Sequence, residues 1–261
     1  MKKINIAIIG LGNIGSYLFE YLSKNKKILT EKNNCTPVVS YVSAKNRYKK
    51  RNLKISKKQW LNNYLDATTN DEIDLIVELI GGSEGPAKKL VFAALKNKKH
   101  IVTANKALIA KYGDQLAKIA EKNNVNLEFE AAVCGGLPIV RSLKEGLIAN
   151  KISKIYGIFN GTSNYILSTM DKKNIEFRDV LQKAKKLGYA EANPSADLSG
   201  EDVASKLKIL SSLCFNSFIN HNIYVEGIKD IDQNDINNVN KFGYKIKLLG
   251  YSELINNRIY Q

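Results

Sequence analysis

The stretch Ile4-Asn5-Ile6-Ala7-Ile8-Ile9-Gly10-Leu11-Gly12-Asn13-Ile14-Gly15 decides how the first half of the chain folds. Its apolar run predicts a buried strand, and glycines at Gly-x-Gly-x-x-Gly spacing then lead into a predicted helix. In that setting Gly10 permits a tight turn, Gly12 lets the backbone approach a pyrophosphate, and Gly15 lets helix and strand pack closely. The stretch therefore predicts a dinucleotide site that includes Asn13 and Ile14, with a simple connecting turn as the alternative.

Apolar strands alternate with helical segments through the first half of the sequence. The strands are nearly continuous in Val, Ile and Leu, as expected when helices cover both faces of a parallel sheet. This rhythm predicts an α/β fold with a Rossmann-type doubly wound parallel sheet. The predicted strands are Ile4–Ile9, Pro37–Val42, Ile73–Ile80, His100–Thr103 and Leu127–Glu130, and the predicted helices are Ser16–Lys26, Pro86–Lys96 and Tyr112–Lys122.

The rhythm changes beyond Ala131, where a Gly-Gly-Leu-Pro turn leads into a predicted helix. We place a nucleotide-binding domain at residues 1–135 and an α+β domain for substrate binding and dimerisation at residues 136–261. The predicted elements of the second domain are the strand Ile152–Phe159, the helix Phe177–Leu187, the polar loop Gly188–Gly200 and the helix Asp202–Cys214.

The composition indicates a globular protein, with 44% hydrophobic and 25% charged residues. The three cysteines are far apart and form no Cys-x-x-Cys pair, so neither a disulfide framework nor a zinc knuckle is suggested. No apolar run approaches the ~20 residues that a bilayer span requires. We therefore expect a cytoplasmic chain with no membrane partner.

The net charge of +15 makes nucleic-acid binding an alternative function. The lysines are scattered along predicted helix faces, however, and the densest basic stretch, at residues 45–58, is a local cluster. Charge alone sets solubility and non-specific association rather than fold. We expect no nucleic-acid partner.

The end of the second predicted strand bears on the choice between the two nicotinamide dinucleotides. NAD-specific sites usually place a carboxylate there, where it bonds the ribose 2′-hydroxyl. Residues 41–47 read Tyr-Val-Ser-Ala-Lys-Asn-Arg and offer no carboxylate. Because Lys45 and Arg47 can meet a 2′-phosphate, the sequence favours NADP over NAD. The alternative is that both are ordinary surface charges.

Asp202 and Lys206 stand four residues apart at the start of a predicted helix. The apolar positions Val203, Leu207 and Leu210 follow helical spacing, so the pair lies on one stripe beside the buried face. Taken by itself, this spacing describes an ordinary helix ion pair.

A set of motifs, taken together, carries a resemblance to a known family. In their order and spacing, from residue 4 to about residue 250, they resemble homoserine dehydrogenase. The resemblance implies an NAD(P)-dependent oxidoreductase that interconverts L-aspartate 4-semialdehyde and L-homoserine, in threonine and methionine biosynthesis. The motifs are Gly10–Gly15, Thr103–Lys106, Glu130–Pro138, Asn160–Tyr165, Gly188–Leu210, Val225–Ile228 and Gly243–Gly250.

The resemblance also implies roles for individual residues. Lys206 transfers the proton, with Asp202 and Lys106 as its catalytic partners. Lys106 also contacts the nicotinamide, with Thr103 nearby. The positions that match homoserine-binding residues are Glu191, Asp197, Gly161, Thr162 and Tyr189, while Asn193 stands where the family usually has an acid.

A cation site and an oligomeric state follow from the same resemblance. Glu130, Val133, Gly135 and Leu137 match positions that hold a monovalent cation, usually sodium, through a carboxylate and backbone carbonyls. The second domain of the family commonly forms a homodimer interface, which we expect here. His100 and His221 are the only histidines, so catalytic zinc is not expected.

The family continues past the position at which this sequence stops. Its further segment completes the nucleotide domain and helps to close over the active site, and a regulatory domain follows in some members. The sequence is expected to be either a fragment or a shortened homologue. The alternative function is that of a truncated paralogue that binds nucleotide without turnover.

Overall fold

The computed structural model describes residues 2–217, 219 and 223–261. Within them the chain forms two compact units, the first ending at Ser142 and the second running from Leu143 to Gln261. The domain boundary proposed from the sequence, at residues 135 and 136, lies a few residues before this division.

The first unit is a parallel sheet with helices between its strands. Its elements are β1 (Lys2–Ile9), α1 (Asn13–Lys24), α2 (Lys26–Asn33), β2 (Cys35–Ser43), β3 (Leu75–Glu78), α3 (Pro86–Lys96), β4 (His100–Thr103), α4 (Lys106–Lys122), β5 (Leu127–Glu128), α5 (Glu130–Val133) and α6 (Ile139–Arg141), with short 3₁₀ turns at Lys57–Gln59 and Tyr64–Thr68.

The sheet has the strand order β2-β1-β3-β4-β5, and every pairing in it is parallel. The chain therefore runs outward in one direction from β1 to β2 and in the other from β3 to β5. Ligands of such open sheets bind beyond the carboxyl ends of the strands at this switch point. Ile8 and Ile9 of β1 are fully buried, as a central strand covered on both faces requires. The predicted α/β class is confirmed.

Several predicted elements of the first unit have the wrong ends. α4 begins at Lys106 rather than at Tyr112, because the Asn105 side chain accepts a hydrogen bond from the Leu108 amide at 3.1 Å and caps the helix earlier. The fifth predicted strand stops at Glu128, and Glu130 already belongs to α5.

The second unit combines a small antiparallel sheet with helices. After a π-helical turn at Ser142–Gly146, its elements are β6 (Lys154–Gly157), α7 (Gly161–Lys173), α8 (Phe177–Lys186), α9 (Ser195–Ser199), α10 (Glu201–Cys214), α11 (Gln233–Lys241), β7 (Gly250–Ile255) and β8 (Arg258–Tyr260). The sheet order is β6-β7-β8, and Asn256 and Asn257, both at positive φ, form the two-residue turn between the last two strands.

The core of the second unit lies among its helices. Ile166, Leu167 and Met170 of α7 are buried against Val180 and Ala184 of α8. Burial of each large apolar side chain in this contact stabilises the unit by ~1.5–3 kcal/mol.

Three helices of the second unit, α7, α9 and α11, are absent from the sequence prediction. Asn-Gly is a common turn dipeptide in sequence, but here Asn160 is the N-cap of α7 and Gly161 its first residue. The polar loop predicted at Gly188–Gly200 contains the short helix α9, on which Asp197 lies. In both places, residues that favour turns also favour helix starts, because their side chains bond to nearby backbone amides.

Candidate active site

The glycine loop of the first unit can be formed only with glycine at two of its positions. Gly10 has φ +112°, and a Cβ there would lie 2.4 Å from the Leu79 carbonyl oxygen. A Cβ on Gly15 would lie 2.0 Å from the Gly10 carbonyl oxygen. The loop thus packs against the segment after β3 at closer range than any side chain allows.

Gly12 has a different environment, since no atom of the described residues lies within 4 Å of the position its Cβ would take. It is the N-cap of α1, and the first turn of that helix, which includes Asn13 and Ile14, carries no acidic residue. Open space in front of amides at a helix N-terminus suits a phosphate group. The predicted dinucleotide loop therefore has the shape and the polarity that this ligand requires.

The segment after β2 holds the two basic residues predicted at the adenosine end. Lys45 is exposed. Arg47 donates a hydrogen bond to the Asn62 side chain at 3.1 Å, and its guanidinium lies 5.4 Å from the centre of the Trp60 ring. The position of Arg47 is thus set by its neighbours in the first unit, while that of Lys45 is open to solvent.

Arg51 is a residue of this region that the sequence reasoning did not single out. Its Nε donates to the Leu11 carbonyl in the glycine loop at 3.0 Å, and its Nη1 donates to the carbonyls of Asn46 and Lys49, both at 3.0 Å. Arg51 therefore ties the glycine loop to the segment after β2.

Glu78 is a second residue missed from the sequence. It ends β3, is fully buried, and accepts hydrogen bonds from the amides of Ile80 and Gly81 at 2.7 and 3.0 Å. Its other oxygen accepts a hydrogen bond of 2.5 Å from the Thr103 hydroxyl. The Thr103 side chain is buried in this contact, which links the carboxyl ends of β3 and β4. A carboxylate at the end of an apolar strand is the sequence signal that would have found Glu78.

Lys106 is the first residue of α4 and is partly buried at the same carboxyl edge. The preceding residue, Asn105, donates to the Gly82 carbonyl at 2.7 Å in addition to capping the helix. Lys106 thus projects from a helix start that is bound on two sides, beyond β4 as the sequence predicts.

Lys206 and Asp202 form an ion pair near the start of α10, with 2.9 Å between Nζ and Oδ2. The Asp202 side chain is 3% exposed and that of Lys206 is 18% exposed. The Lys206 ammonium also donates to the Phe159 carbonyl at 2.8 Å. A surface helix pair would be much more exposed, so the burial separates this pair from the ordinary case.

Asn160 joins the second acidic residue to this pair. Its amide nitrogen donates to Asp197 at 2.7 Å and to Asp202 at 2.9 Å. Its amide oxygen accepts a hydrogen bond from the Ser163 amide at 2.8 Å. The structure therefore brings Asp197, Asp202 and Lys206 into one cluster, which we call the Asn160 network.

The remaining predicted substrate residues of the second unit fall into two groups. The Thr162 hydroxyl donates to the Tyr189 carbonyl at 2.6 Å, and the Tyr189 ring stacks on Tyr165 with 4.4 Å between ring centres. Glu191 is exposed. Asn193, also exposed, accepts a hydrogen bond from the Ser195 amide at 3.2 Å ahead of α9.

The turn predicted to hold a cation is organised by Glu130. Its two carboxylate oxygens accept hydrogen bonds from the amides of Val140 and Arg141 at 2.8 and 2.9 Å, which fixes the start of α6. Val133 is buried, whereas Gly135 and Leu137 are exposed. Within the described residues there is no group of three or more His, Cys, Asp or Glu side chains suited to a metal.

Two further predictions can be placed. His100 accepts a hydrogen bond from the Asn126 amide through Nδ1 at 3.0 Å, whereas His221 lies outside the described residues. No helix in the described part of the chain is both long and apolar enough to cross a membrane.

Two family models match consecutive parts of the chain. Residues 10–130 match the NAD-binding domain of homoserine dehydrogenase, and residues 138–260 match the model described as homoserine dehydrogenase. The chain is 43% identical over 251 residues to a homoserine dehydrogenase of Neisseria gonorrhoeae and 37% identical over 254 residues to that of Bacillus subtilis. These alignments cover 96% and 97% of this chain but 57% and 58% of the relatives.

Solved structures give the same result. The homoserine dehydrogenase of Thiobacillus denitrificans is 42% identical with a TM-score of 0.91, over 99% of this chain and 60% of that one. The enzyme of S. aureus is 40% identical with a TM-score of 0.85, over 99% of this chain and 61% of that one. This sequence therefore spans about three fifths of the length of its relatives. The chain belongs to the homoserine dehydrogenase family.

Proposed function

We propose that this chain carries the catalytic core of a homoserine dehydrogenase, which reduces L-aspartate 4-semialdehyde to L-homoserine with NAD(P)H and runs the reaction in reverse. The observation that carries the proposal is the buried pair of Lys206 and Asp202, held together with Asp197 by Asn160. Reduction of a carbonyl by hydride also requires a group that donates a proton to the oxygen, and Lys206 is the candidate in this cluster.

Lys206 acts on the substrate oxygen. In reduction, its ammonium gives a proton to the carbonyl oxygen, and in oxidation its amine takes the proton from the homoserine hydroxyl. The nicotinamide, when bound, supplies or accepts the hydride. The contacts with Asp202 and the Phe159 carbonyl hold Nζ in one place, so the proton is presented in a fixed direction. Lys106, at the start of α4, is proposed as the second cationic group at the substrate and nicotinamide.

The substrate is proposed to lie over the start of α7 and α9. Asp197 and Glu191 carry the negative charge that the ammonium group of homoserine requires. Gly161 and Thr162 offer amides at a helix N-terminus, where a substrate carboxylate is stabilised. The contact of Thr162 with the Tyr189 carbonyl fixes the loop that carries Glu191.

The cofactor is proposed to be a nicotinamide dinucleotide bound by Gly10, Gly12, Asn13, Ile14 and Gly15. NADP is favoured over NAD because Lys45 and Arg47 follow β2 where a carboxylate would select NAD. Affinities for the two dinucleotides measured by calorimetry decide this point. A tighter complex with NAD would contradict it.

A monovalent cation, usually sodium in this family, is proposed at Glu130, Val133, Gly135 and Leu137. The set fits because it offers one carboxylate and backbone oxygens, and each Glu130 oxygen that accepts one amide keeps a further lone pair. Thermal unfolding should shift upward in sodium chloride relative to an equal concentration of choline chloride. Glu130→Gln should remove that difference.

A homodimer is proposed through the sheet of the second unit. One face of this sheet exposes Tyr156, Tyr251 and Tyr260, with Lys154 paired to Glu253 among them. A second copy would cover such an aromatic face symmetrically. Light scattering should give twice the chain mass, and Tyr156→Lys should return it to one chain.

The remaining features of the proposal concern location and alternatives. All three cysteines are free thiols, which supports a reducing compartment such as the cytoplasm. A paralogue that binds nucleotide without turnover is the alternative. The deciding experiment follows NADPH absorbance with the purified chain and L-aspartate 4-semialdehyde. Loss of NADPH matched by formation of homoserine supports the enzyme, whereas cofactor binding without any turnover supports the paralogue.

A further inference from the structure

Asn160 is one member of a closed ring of contacts. Its side chain donates to Asp202, Asp202 pairs with Lys206, and Lys206 donates to the carbonyl of Phe159, the residue that precedes Asn160. Asn160 itself is 5% exposed. The ring fixes the Lys206 ammonium relative to the backbone at the start of α7.

The chemistry of its partners fixes which way the Asn160 amide faces. The Ser163 amide is a donor, so it must meet the Asn160 oxygen. The two remaining partners are Asp197 and Asp202, whose carboxylates accept hydrogen bonds from the amide nitrogen. One NH₂ group therefore uses each of its two protons on a different carboxylate.

The cap of α7 requires only the Asn160 oxygen, so the two donations from its nitrogen have a separate role. Asp197 and Asp202 both bond to the one NH₂ group of Asn160, so the two carboxylates lie close together. Two close negative charges repel each other unless a donor lies between them. Asp202 is almost fully buried, so an unpartnered charge there is costly. Asn160 donates one proton to each carboxylate, and Asp202 still pairs with Lys206.

We propose that Asn160 is a positioning residue, which holds Asp197 for the substrate ammonium and Asp202 for Lys206 through its two amide protons. The inference rests on the proposed function, because it assigns those tasks to the two carboxylates. It predicts that losing the two donations damages proton transfer even when the helix cap is kept.

Two variants separate the roles. Asn160→Ser keeps an oxygen for the Ser163 amide, since serine is a good N-cap, but loses the donations to Asp197 and Asp202. Asn160→Asp keeps shape and cap and replaces the donor with a third negative charge. A matched control is Asn63→Ser, which makes the same exchange at an N-cap in the first unit, where Asn63 accepts from Leu65.

Turnover of the full chain is measured from acid to alkaline pH. We expect kcat to fall about tenfold in Asn160→Ser, which is less than the full contribution of a general acid or base, and about 100-fold or more in Asn160→Asp, which is within that range. The shape of the kcat profile should also change in both, because the charges and donors around the Lys206 ammonium change. KM for the dinucleotide should stay near that of the parent. Unchanged kcat and pH profile in folded variants would overturn the proposal.

A second readout does not depend on turnover. Acetic anhydride labels lysines, and Lys24, exposed on α1, serves as the internal reference. We expect Lys206 to be labelled several-fold faster relative to Lys24 in Asn160→Ser than in the parent or in Asn63→Ser. If the parent shows no turnover, the proposed function fails, and labelling alone decides on Asn160. Equal labelling of Lys206 in all three proteins would then refute its positioning role.

Discussion

The glycine loop of the first unit and the Asn160 network of the second are built in opposite ways. The loop is defined by backbone atoms only a few residues apart, and its key positions are those where a side chain cannot fit. The network joins the side chain of Asn160, the N-cap of α7, to side chains of α9 and α10 that lie 37 and 42 residues away in sequence. At Gly10 and Gly15 the first kind of site has no room for a side chain, whereas the second depends on donors and acceptors that can be exchanged one at a time.

The largest effect is expected at Gly15. A Cβ there would lie 2.0 Å from the Gly10 carbonyl oxygen. Because this is a backbone atom, no side-chain rotation can relieve the overlap. We expect Gly15→Ala to destabilise the first unit by about 3–5 kcal/mol and to abolish dinucleotide binding. Chemical denaturation and calorimetry measure the two effects.

Gly12→Ala is the matched control for this loop. No atom of the described residues lies within 4 Å of its added Cβ, so the variant should fold like the parent and lose dinucleotide affinity alone. If Gly15→Ala were as stable as Gly12→Ala, the account of a backbone-defined loop would be wrong.

A smaller effect is expected at Gly250, the first residue of β7. A Cβ there would lie 2.6 Å from two ring carbons of Phe159, the residue whose carbonyl holds Lys206. We expect Gly250→Ala to cost about 1–3 kcal/mol of stability through overpacking. It should also lower kcat, because the ring has to move and takes the carbonyl with it.

Gly157 offers the control for Gly250, because its added Cβ would meet the same Phe159 ring at 3.5 Å, an ordinary contact distance. Gly157→Ala should therefore leave kcat near that of the parent. Equal kcat losses in the two variants would show that the ring position does not control Lys206.

The smallest effect is expected at Glu84, an exposed carboxylate that forms ion pairs with Lys88 and Lys111. Lys111, Tyr112 and Lys88 all bond to it, and they lower the pKa of Glu84 to about 2. A lowered pKa means that the contact stabilises the fold above the ordinary value of 4.5 and is lost as pH falls through about 2. Glu84→Gln should therefore be slightly less stable than the parent at neutral pH.

Urea denaturation at a series of pH values tests the behaviour of Glu84. The difference between Glu84→Gln and the parent should shrink as pH falls from 4.5 toward 2. A difference that grows on acidification would mean that the carboxylate is not stabilised by its lysines. Water surrounds Glu84 whereas Asp202 is buried, so we expect the Glu84 ion pairs to contribute little to stability.

The sequence predicts those parts of the molecule that depend on local pattern. Apolar strands, the Gly10–Gly15 spacing and the helix of Asp202 and Lys206 all follow from residues near one another, and the structure confirms the sheet and the helix. The role of Lys206 came from resemblance to a family, because a pair at i and i+4 is common on helix surfaces.

The parts that could not be predicted depend on long-range contacts. Asn160 and Gly161 resemble a turn dipeptide in sequence, and only the fold reveals a helix start aimed at two distant carboxylates. Arg51 likewise acts through backbone carbonyls, which leave no residue pattern to detect, whereas Glu78 could have been found as a carboxylate at the end of an apolar strand. Backbone partners of this kind become visible only when the chain is folded.

The measurement that tests the central claim most directly compares Lys206→Ala with the parent and with Lys186→Ala, a change at an exposed lysine of α8. Stabilisation by NADPH and turnover of L-aspartate 4-semialdehyde are measured on all three proteins. The account predicts that Lys206→Ala keeps the stabilisation and loses about 1,000-fold or more in kcat, while Lys186→Ala keeps both. Turnover by Lys206→Ala at the rate of the parent would contradict the assignment of proton transfer to Lys206.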